Sequence, residues 1–556
     1  QSIFEYNTDG LIFTPTLLGV GCINSTSKPL NYKKNWEYSF KWKPPEYNTI
    51  DFLISTKKTD TNEDFIGNLF TGGVQTKENL TQYKTLFLKI GFDESKHGYL
   101  NPLDTLLNGS NESKELKESS YKPALFYPTN PFDSNAHCCN ILLKTDTNGQ
   151  PQMFSEENEV IEDNMIVEFK YDLKKQGKWK WTPIKVRYDK TAEFRNGFKN
   201  YGNVYHAANS NWQSIHNPIE PYMLATNYNV TMDMANSDTY YVKLHGDSKT
   251  IGLRDFHNLF VKRTLINIVS KSSDKLIDYA VGKGGDLSKW RHSKLDFVLG
   301  IDLSRDNIEN KINGACARYL DEQKKFHSIP KAIFLHGNTG LNIESGEAFY
   351  NDISKKAMNA LVGKGEKDKR SLGNNLFNLY GIAKDKFNIS SIQFALHYMF
   401  ESKRILHTFL KNVSDFTKPH GYFIGTCFNG KSIFDMLRNQ KKNDEYSIML
   451  DKTKIWSIKK QYAGSDFPSN EKCVGYQIDI YQETINKYTK EYLVHFDYLT
   501  QILADYGFSP LTSEECKQKG LKTSHGSFKD LFDIMTQLKK NTMYKNALKM
   551  TPEEKE

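Results

Sequence analysis

Apolar and polar positions change rhythm along this chain. Up to about residue 230 the apolar residues come in short runs and alternations. CCNILLKT from Cys138, MIVEFKYD from Met165 and WTPIKVRYD from Trp181 each read as a strand, with Gly and Asn clustered between them. Residues 1–54 are β-rich as well, and 40–56 has two strand-like ends around Pro44 and Pro45. Short strands at this spacing predict a small barrel or sandwich. The polar, turn-rich stretch 104–122 predicts a linker. From about 235 the pattern alters. Residues 255–271 place Phe256, Leu259, Phe260, Leu265, Ile268 and Val269 roughly on one face of a helix. Continuously apolar runs at 276–281, 296–303, 331–337, 389–396 and 421–428 then alternate with helix-like segments such as 307–325 and 400–416. Strands of that kind, separated by helices, form a parallel sheet buried on both faces. Residues 342–388 read as a long connection with a solvated loop at 363–371.

Composition narrows the class. The length of 556 residues predicts three or four domains. Hydrophobic residues at 38% and charged residues at 25% exclude a disordered or fibrous protein. No apolar run approaches the ~18 residues of a membrane-crossing helix. The opening QSIFEYNTDG has no basic stretch before an apolar core, so no secretory signal is expected. It also has no initial Met, which reads as a fragment or a processed piece. A net charge of +8 permits a polyanionic partner such as RNA without requiring one. The seven cysteines form no CxxC pair, so buried free thiols are expected rather than a zinc ribbon or a disulfide scaffold. No metal site is expected in the chain itself.

The strongest chemical signal lies at 276–302. A strand runs into AVGKGGDL, where Gly282, Gly284 and Gly285 allow a tight turn and a close approach to a ligand before a helix begins. Asp302 ends the next strand, about twenty residues on, where a carboxylate can accept from both ribose hydroxyls. The spacing fits neither GxGxxG nor a phosphate-binding P-loop. A loop carrying Lys283 and Asp286 suits a cationic, phosphate-free cofactor better, and Asp278 and Asp286 place negative charge near it. S-adenosylmethionine has those properties.

Five blocks then occur in a fixed order: AVGKGGDLSKW, GIDLSRDNIENKINGACARYL, SIQFALHYMFES, GYFIGTCFNG and YTKEYLVHFDYL. Over about 250–508 they resemble the cap guanine-N7 methyltransferases. The resemblance implies that Lys262 touches the cofactor carboxylate, that Gly282 and Asp302 hold its methionine and ribose, and that Gln393 lies on the cofactor side. It also implies that Lys283 and Arg318 meet cap phosphates, and that His397, Tyr398 and Glu491 grip the guanine. A carboxylate at 491 can accept from guanine N1–H and N2–H together. Relatives often carry an acid near the adenine where this chain has Asn338, whose amide can read an adenine edge. Relatives also continue past YKNALKMTPEEKE with a further strand and an aromatic cap contact, so the completeness of the sheet is an open point. No catalytic acid or base is expected, because N7 already has a free lone pair and catalysis rests on proximity.

The N-terminal half has its own resemblance. DGLIFTP with Asp9, FKWKPPEYNTIDFLI with Lys41 and Lys43, and WTPIKVRYDK with Arg187, Asp189 and Lys190 are similar to motifs of RNA guanylyltransferases. There they imply a metal-side acid, phosphate contacts and a mobile OB-fold lid. PTNPFDSNAHCCN and FKNYGNVYHAANSNWQSIHNPI resemble stretches of the capping enzymes of large DNA viruses. The covalent nucleophile of that family, the Lys of KxDG, has no counterpart among the 556 residues. The guanylyltransferase part is therefore expected to begin in its middle, and GTP and a divalent metal belong only to a longer parent. The basic residues here also read as a surface that holds a 5′ RNA end.

These readings imply three domains. Residues 1–115 are expected to be a β-rich nucleotidyltransferase remnant and 116–230 an OB-fold barrel. Residues 235–556 are expected to be an α/β class I, Rossmann-like methyltransferase with a mostly parallel seven-stranded sheet. The implied substrate is the GpppN cap of mRNA. A stimulatory subunit or a viral RNA polymerase is the implied partner, with no membrane and no DNA sequence specificity. The implied location is the virion and the viral factory of the host cytoplasm. Two alternatives stay open: an RNA-binding or docking platform with a silent methyltransferase, and a class I methyltransferase acting on other RNA.

Overall fold

The computed structural model describes residues 10–22, 36, 38–70, 80–109, 121–145, 149–225, 249–451, 453–483, 485, 487–538 and 542–555. They fall into two compact bodies. One comprises 1–100 with 114–236, the other 101–113 with 237–556.

The first body is built on β1 (Thr49–Thr56), β2 (Ile66–Phe70), β3 (Leu80–Asp93), β4 (Tyr121–Leu125), β5 (Cys138–Leu142), β6 (Ile166–Tyr171) and β7 (Trp181–Val186). The sheet order is β7-β6-β1-β3-β2, with β4 and β5 paired to β3. All these pairs are antiparallel. The sheet curls until β7 packs against β5, where the Cys139 thiol donates to Trp181 O at 3.3 Å. Inside the curl, Phe52 meets Trp181 edge-on at 5.0 Å and Phe126 meets Trp212 at 5.9 Å. The indoles also find polar partners: Trp181 Nε1 donates to Ala136 O at 2.8 Å and Trp212 Nε1 to Pro131 O at 2.7 Å.

The expected boundary at 115/116 does not separate two folded bodies. β1 and β3 from before it and β5 and β6 from after it share one sheet, because alternating strands on both sides bury one common core. The expected linker also begins with structure. Its first residues belong to helix α1 (Pro102–Asn108), which buries Pro102, Leu103, Leu106 and Leu107 in the second body.

The second body is doubly wound. Its elements include α2 (Lys262–Val269), β8 (Lys275–Asp278), α3 (Leu287–His292), β9 (Phe297–Asp302), α4 (Arg305–Glu309), α5 (Ala315–Lys325), β10 (Lys331–His336), α6 (Asn374–Asn378), β11 (Phe387–Gln393), α7 (Lys403–Phe416) and β12 (Thr417–Thr426). The five strands run parallel in the order β10-β9-β8-β11-β12. Leu276, Ile277, Val298, Leu299, Ile333 and Ile389 are wholly buried, which accounts for the continuously apolar runs. The order reverses direction at β8, so the crevice beyond the carboxyl ends of β8 and β11 is where such a sheet holds a ligand.

The expected mostly parallel sheet of seven strands is not found among the described residues of the second body, whose parallel sheet has five. After β12 the chain enters a separate antiparallel sheet of β13 (Glu445–Leu450), β14 (Thr453–Lys460), β15 (Gln477–Gln482) and β16 (Lys487–Tyr492). The cause is a change of period: Ile478 and Ile480 are buried while Asp479 between them is not, the alternation of a sheet with one wet face. All seven cysteines are free thiols and six are buried, as expected.

Candidate active site

β8 ends at Asp278, and the chain turns through 279–286 into α3. Gly282 and Gly284 have φ of 55° and 67°, a backbone that side chains rarely adopt. Nothing stands within 4 Å of where a Cβ would project at Gly282 or Gly285. Both glycines line a cavity of about 2440 Å³, and a side chain at either would fill space that a ligand needs. Asp302, at the end of β9, faces the same loop. Its carboxylate accepts from Gly282 N at 2.7 Å, Ser304 N at 2.9 Å and Asn307 Nδ2 at 3.0 Å. Burial pushes its pKa above the ordinary value, with those three donors opposing the rise. An open cradle beside a fixed acid fits the ribose and methionine of S-adenosylmethionine.

Asp278, before this loop, and Gly284 and Asp286 within it do not line the cavity. Asp286 is buried, with Lys289 Nζ at 2.8 Å and Lys262 Nζ at 3.4 Å. Burial alone would raise it, but the two lysines hold it below the usual carboxylate range. Asp278 accepts from Ala280 N at 3.1 Å and is pushed up to about 7, first by burial and then by the Asp286 charge. Lys262 does line the cavity, and its ammonium stands 5.6 Å from the centroid of the Phe394 ring. It follows a π-helical stretch, 256–261, that interrupts one long helix.

The other end of the cavity is built differently. Gln393 closes β11, donating to Ser391 Oγ at 3.2 Å and accepting from Thr426 Oγ1 at 3.3 Å. Phe394 follows with φ of 57°, anchored by its N–H to Thr426 O at 3.0 Å, and a 3₁₀ turn then presents His397 and Tyr398. Glu491 reaches the same place from β16. His397 and Glu491 are buried, and the imidazole lies 4.3 Å from the Tyr398 ring and 6.0 Å from Phe428. Thr489 Oγ1 donates to Glu491 Oε1 at 2.9 Å, while Glu491 Oε2 and both ring nitrogens of His397 have no hydrogen-bond partner among the described residues. Lys283 and Arg318 line the cavity too, but both already have partners. Lys283 Nζ stands 2.8 Å from Asp306 Oδ2 and 2.9 Å from Asn313 Oδ1, and Arg318 Nη1 donates to Lys283 O at 2.9 Å. Asn338 turns its Oδ1 to Gly340 N at 2.9 Å at the cavity wall.

In the first body, Arg187 and Lys190 converge on buried Asp51, with Nη1 at 2.8 Å and Nζ at 2.5 Å from Oδ2, and Asp189 joins through Arg187 Nη2 at 3.4 Å. Lys41 pairs with Ile12 in a two-stranded ribbon and is exposed, Lys43 is half-buried, and Asp9 lies outside the described residues. Among the described residues no cluster of three His, Cys, Asp or Glu is placed to hold a metal, and no helix is long and apolar enough to cross a membrane.

The model of the mRNA (guanine-N(7))-methyltransferase domain matches residues 222–556, more than half of the chain. The chain belongs to that family. A probable mRNA-capping enzyme of Acanthamoeba polyphaga mimivirus is 27% identical over 530 residues, covering 91% of this chain and 40% of that protein. An mRNA cap guanine-N(7) methyltransferase of Meyerozyma guilliermondii is 29% identical over 238 residues, covering 39% of this chain and 38% of the other. The chain thus spans about two fifths of the length of these relatives. A solved S-adenosylmethionine-dependent methyltransferase from Clostridium acetobutylicum covers 47% of this chain and 81% of its own, with 14% identity and a TM-score of 0.25, too low to add to the strand order.

In this methyltransferase domain and its neighbour, three contributors escaped the sequence. Phe394 was visible inside the QFALHY block, but its left-handed backbone was not. His257 lies 4.6 Å from the Phe394 ring because of the π-helical stretch, for which no sequence signal exists. Asp51 reads as one polar position in a strand, and only the fold brings RYDK to it.

Proposed function

We propose that this chain transfers the methyl group of S-adenosylmethionine to N7 of the guanine in a 5′ GpppN cap of mRNA. One observation carries the reading. The Asp302–glycine cradle and the His397–Glu491 pair, with Glu491 Oε2 and both imidazole nitrogens unsatisfied among the described residues, line the same cavity, one end suited to a nucleoside cofactor and the other to a base edge. S-adenosylmethionine supplies an electrophilic methyl on a sulfonium. N7 of guanine is a nucleophile as it stands, so the chain needs only to bind, orient and exclude water. Glu491, ionised, accepts from N1–H and N2–H. His397 and Tyr398 form the adjoining wall, and Gln393 and Phe394 line the same cavity. Positioning of this kind contributes up to ~7–11 kcal/mol to a two-substrate reaction.

The decisive experiment follows methyl transfer from labelled S-adenosylmethionine to GpppA-capped RNA, with uncapped RNA as control. Label at N7 on capped RNA alone supports the reading. No product despite cofactor binding would make the chain an RNA-docking platform, or one that needs a stimulatory subunit. Product on uncapped RNA would make it a methyltransferase of another class.

For the first body, the curl of β7-β6-β1-β3-β5 supports an OB-fold, and the 27% identity to a probable viral capping enzyme over 91% of this chain supports a guanylyltransferase neighbour. In that reading GTP and a divalent metal serve a longer parent. The cap arises in the same protein, and the work takes place in the viral factory of the host cytoplasm beside the viral RNA polymerase, with later packaging into the virion.

A further inference from the structure

Helix α1 lies outside residues 222–556, yet it is part of the second body. Its sequence is made to stop and start locally. Asn101 Oδ1 accepts from Asp104 N at 3.2 Å, Pro102 opens the first turn, and Gly109 ends it with φ of 78°. A seven-residue helix does not persist alone in water. Leu103, Leu106 and Leu107 form an i, i+3, i+4 stripe and are buried against α5, α6, α4 and the edge strand β10. The seat is shaped for it. Asn375 Nδ2 donates to Leu106 O at 2.8 Å, and a Cβ at Gly373 would stand 2.3 Å from Asn108 Oδ1 and 2.9 Å from Leu107 O.

The helices beneath α1 carry the cofactor end of the cavity. Asn307 of α4 donates to Asp302 Oδ1 at 3.0 Å, and Arg318 of α5 donates to Lys283 O at 2.9 Å. The first residue of α5, Ala315, packs behind Gly284. We propose that α4, α5, α6 and β10 form an intrachain docking site for residues 101–109, and that its occupancy positions Asp302 and the glycine loop. The methyltransferase is then a two-piece domain, completed by a helix drawn from between strands β3 and β4 of the other body. The proposal takes S-adenosylmethionine from the proposed function as its probe.

The test compares the full-length chain with its Leu106→Asp, Leu106→Met and Asn375→Ala variants. Calorimetry with S-adenosylmethionine and amide exchange at 102–108, 281–287 and 301–309 are the readouts. Leu106→Asp is expected to weaken cofactor binding at least tenfold and to speed exchange at all three segments, while β1–β7 keep their protection. Leu106→Met restores both, and Asn375→Ala falls between. Accelerated exchange at 102–108 with cofactor affinity within twofold of the parent overturns the proposal, and so does unchanged exchange at 102–108. If Leu106→Asp fails to fold, Asn375→Ala decides by the same criteria. If even the parent binds no S-adenosylmethionine, the cofactor reading fails, and exchange at 281–287 and 301–309 still decides the docking.

Discussion

His397 Nε2 and Glu491 Oε2 stand 3.3 Å apart, both in buried side chains, and neither completes a hydrogen bond. Buried polar atoms in that condition are costly unless a ligand satisfies them. A guanine edge brings two donors for the carboxylate. Glu491→Ala should therefore cost about 2–3 kcal/mol in kcat/KM for capped RNA, a loss of roughly 30- to 150-fold. Affinity for S-adenosylmethionine should stay within twofold by calorimetry. An equal fall in both would show that Glu491 does not serve the base.

If the pair holds the guanine as proposed, cap recognition depends on pH. Burial pushes Glu491 up to about 8, with Thr489 opposing, and burial holds His397 down to about 3. Cys427, whose thiol is raised first by burial and then by the Glu491 charge, also feels the carboxylate. At neutral pH Glu491 is mostly protonated in the free chain, whereas guanine needs it ionised. KM for capped RNA should fall as pH rises from 6 to 8 and level above that, and Glu491→Gln should flatten the profile. The stability linkage runs the other way. Glu491 has a folded pKa above its ordinary 4.5, so the stability it contributes is present below that value and lost as pH rises through about 8. His397, lowered from 6.5, contributes stability that is present above 6.5 and lost as pH falls through about 3.

Asp302→Ala removes the acceptor proposed for both ribose hydroxyls and leaves the Gly282 and Ser304 N–H groups and the Asn307 amide without their partner. S-adenosylmethionine should bind roughly 1–3 kcal/mol more weakly. Calorimetry showing unchanged affinity would remove Asp302 from the ribose role.

Asp286 has a different task. It balances Lys262 and Lys289, and Asp286→Asn would leave two lysines beside a neutral amide. Loss of one partner from a buried ion cluster costs about 3–5 kcal/mol. The unfolding free energy of the second body, measured in urea, should fall by that amount. A variant as stable as the parent would show that the lysines find water instead.

Much of the second body was legible because its strands are buried on both faces. The five apolar runs became the five strands, and Asp302 and the glycines came with them. The antiparallel sheet was missed as a separate layer because its alternation begins only after β12, where the expectation of one large sheet overrode it. Glu491 was singled out through its motif and not through period, since β16 alone would read as a polar strand. The first body was divided in the wrong place for a related reason. The turn-rich composition of 104–122 marks a break in the polypeptide, but the hydrogen bonds of β3 to β4 and β5 reach across that break. α1 is too short for a periodicity signal, so its three leucines read as part of the linker.

The π-helical stretch at 256–261 fixes a phase relationship. A π turn takes up about one residue more than an α turn, so everything before it is rotated about the helix axis relative to Lys262 and the rest of α2. Deleting one residue there would let a regular helix run from 251 to the end of α2 with every backbone bond intact. It would also turn the preceding segment by about 100°. His257 would leave the Phe394 ring, and the side chains that α2 presents behind the glycine loop would keep their places. The segment is thus tuned by residue count alone, and length, more than composition, is what this stretch has to conserve.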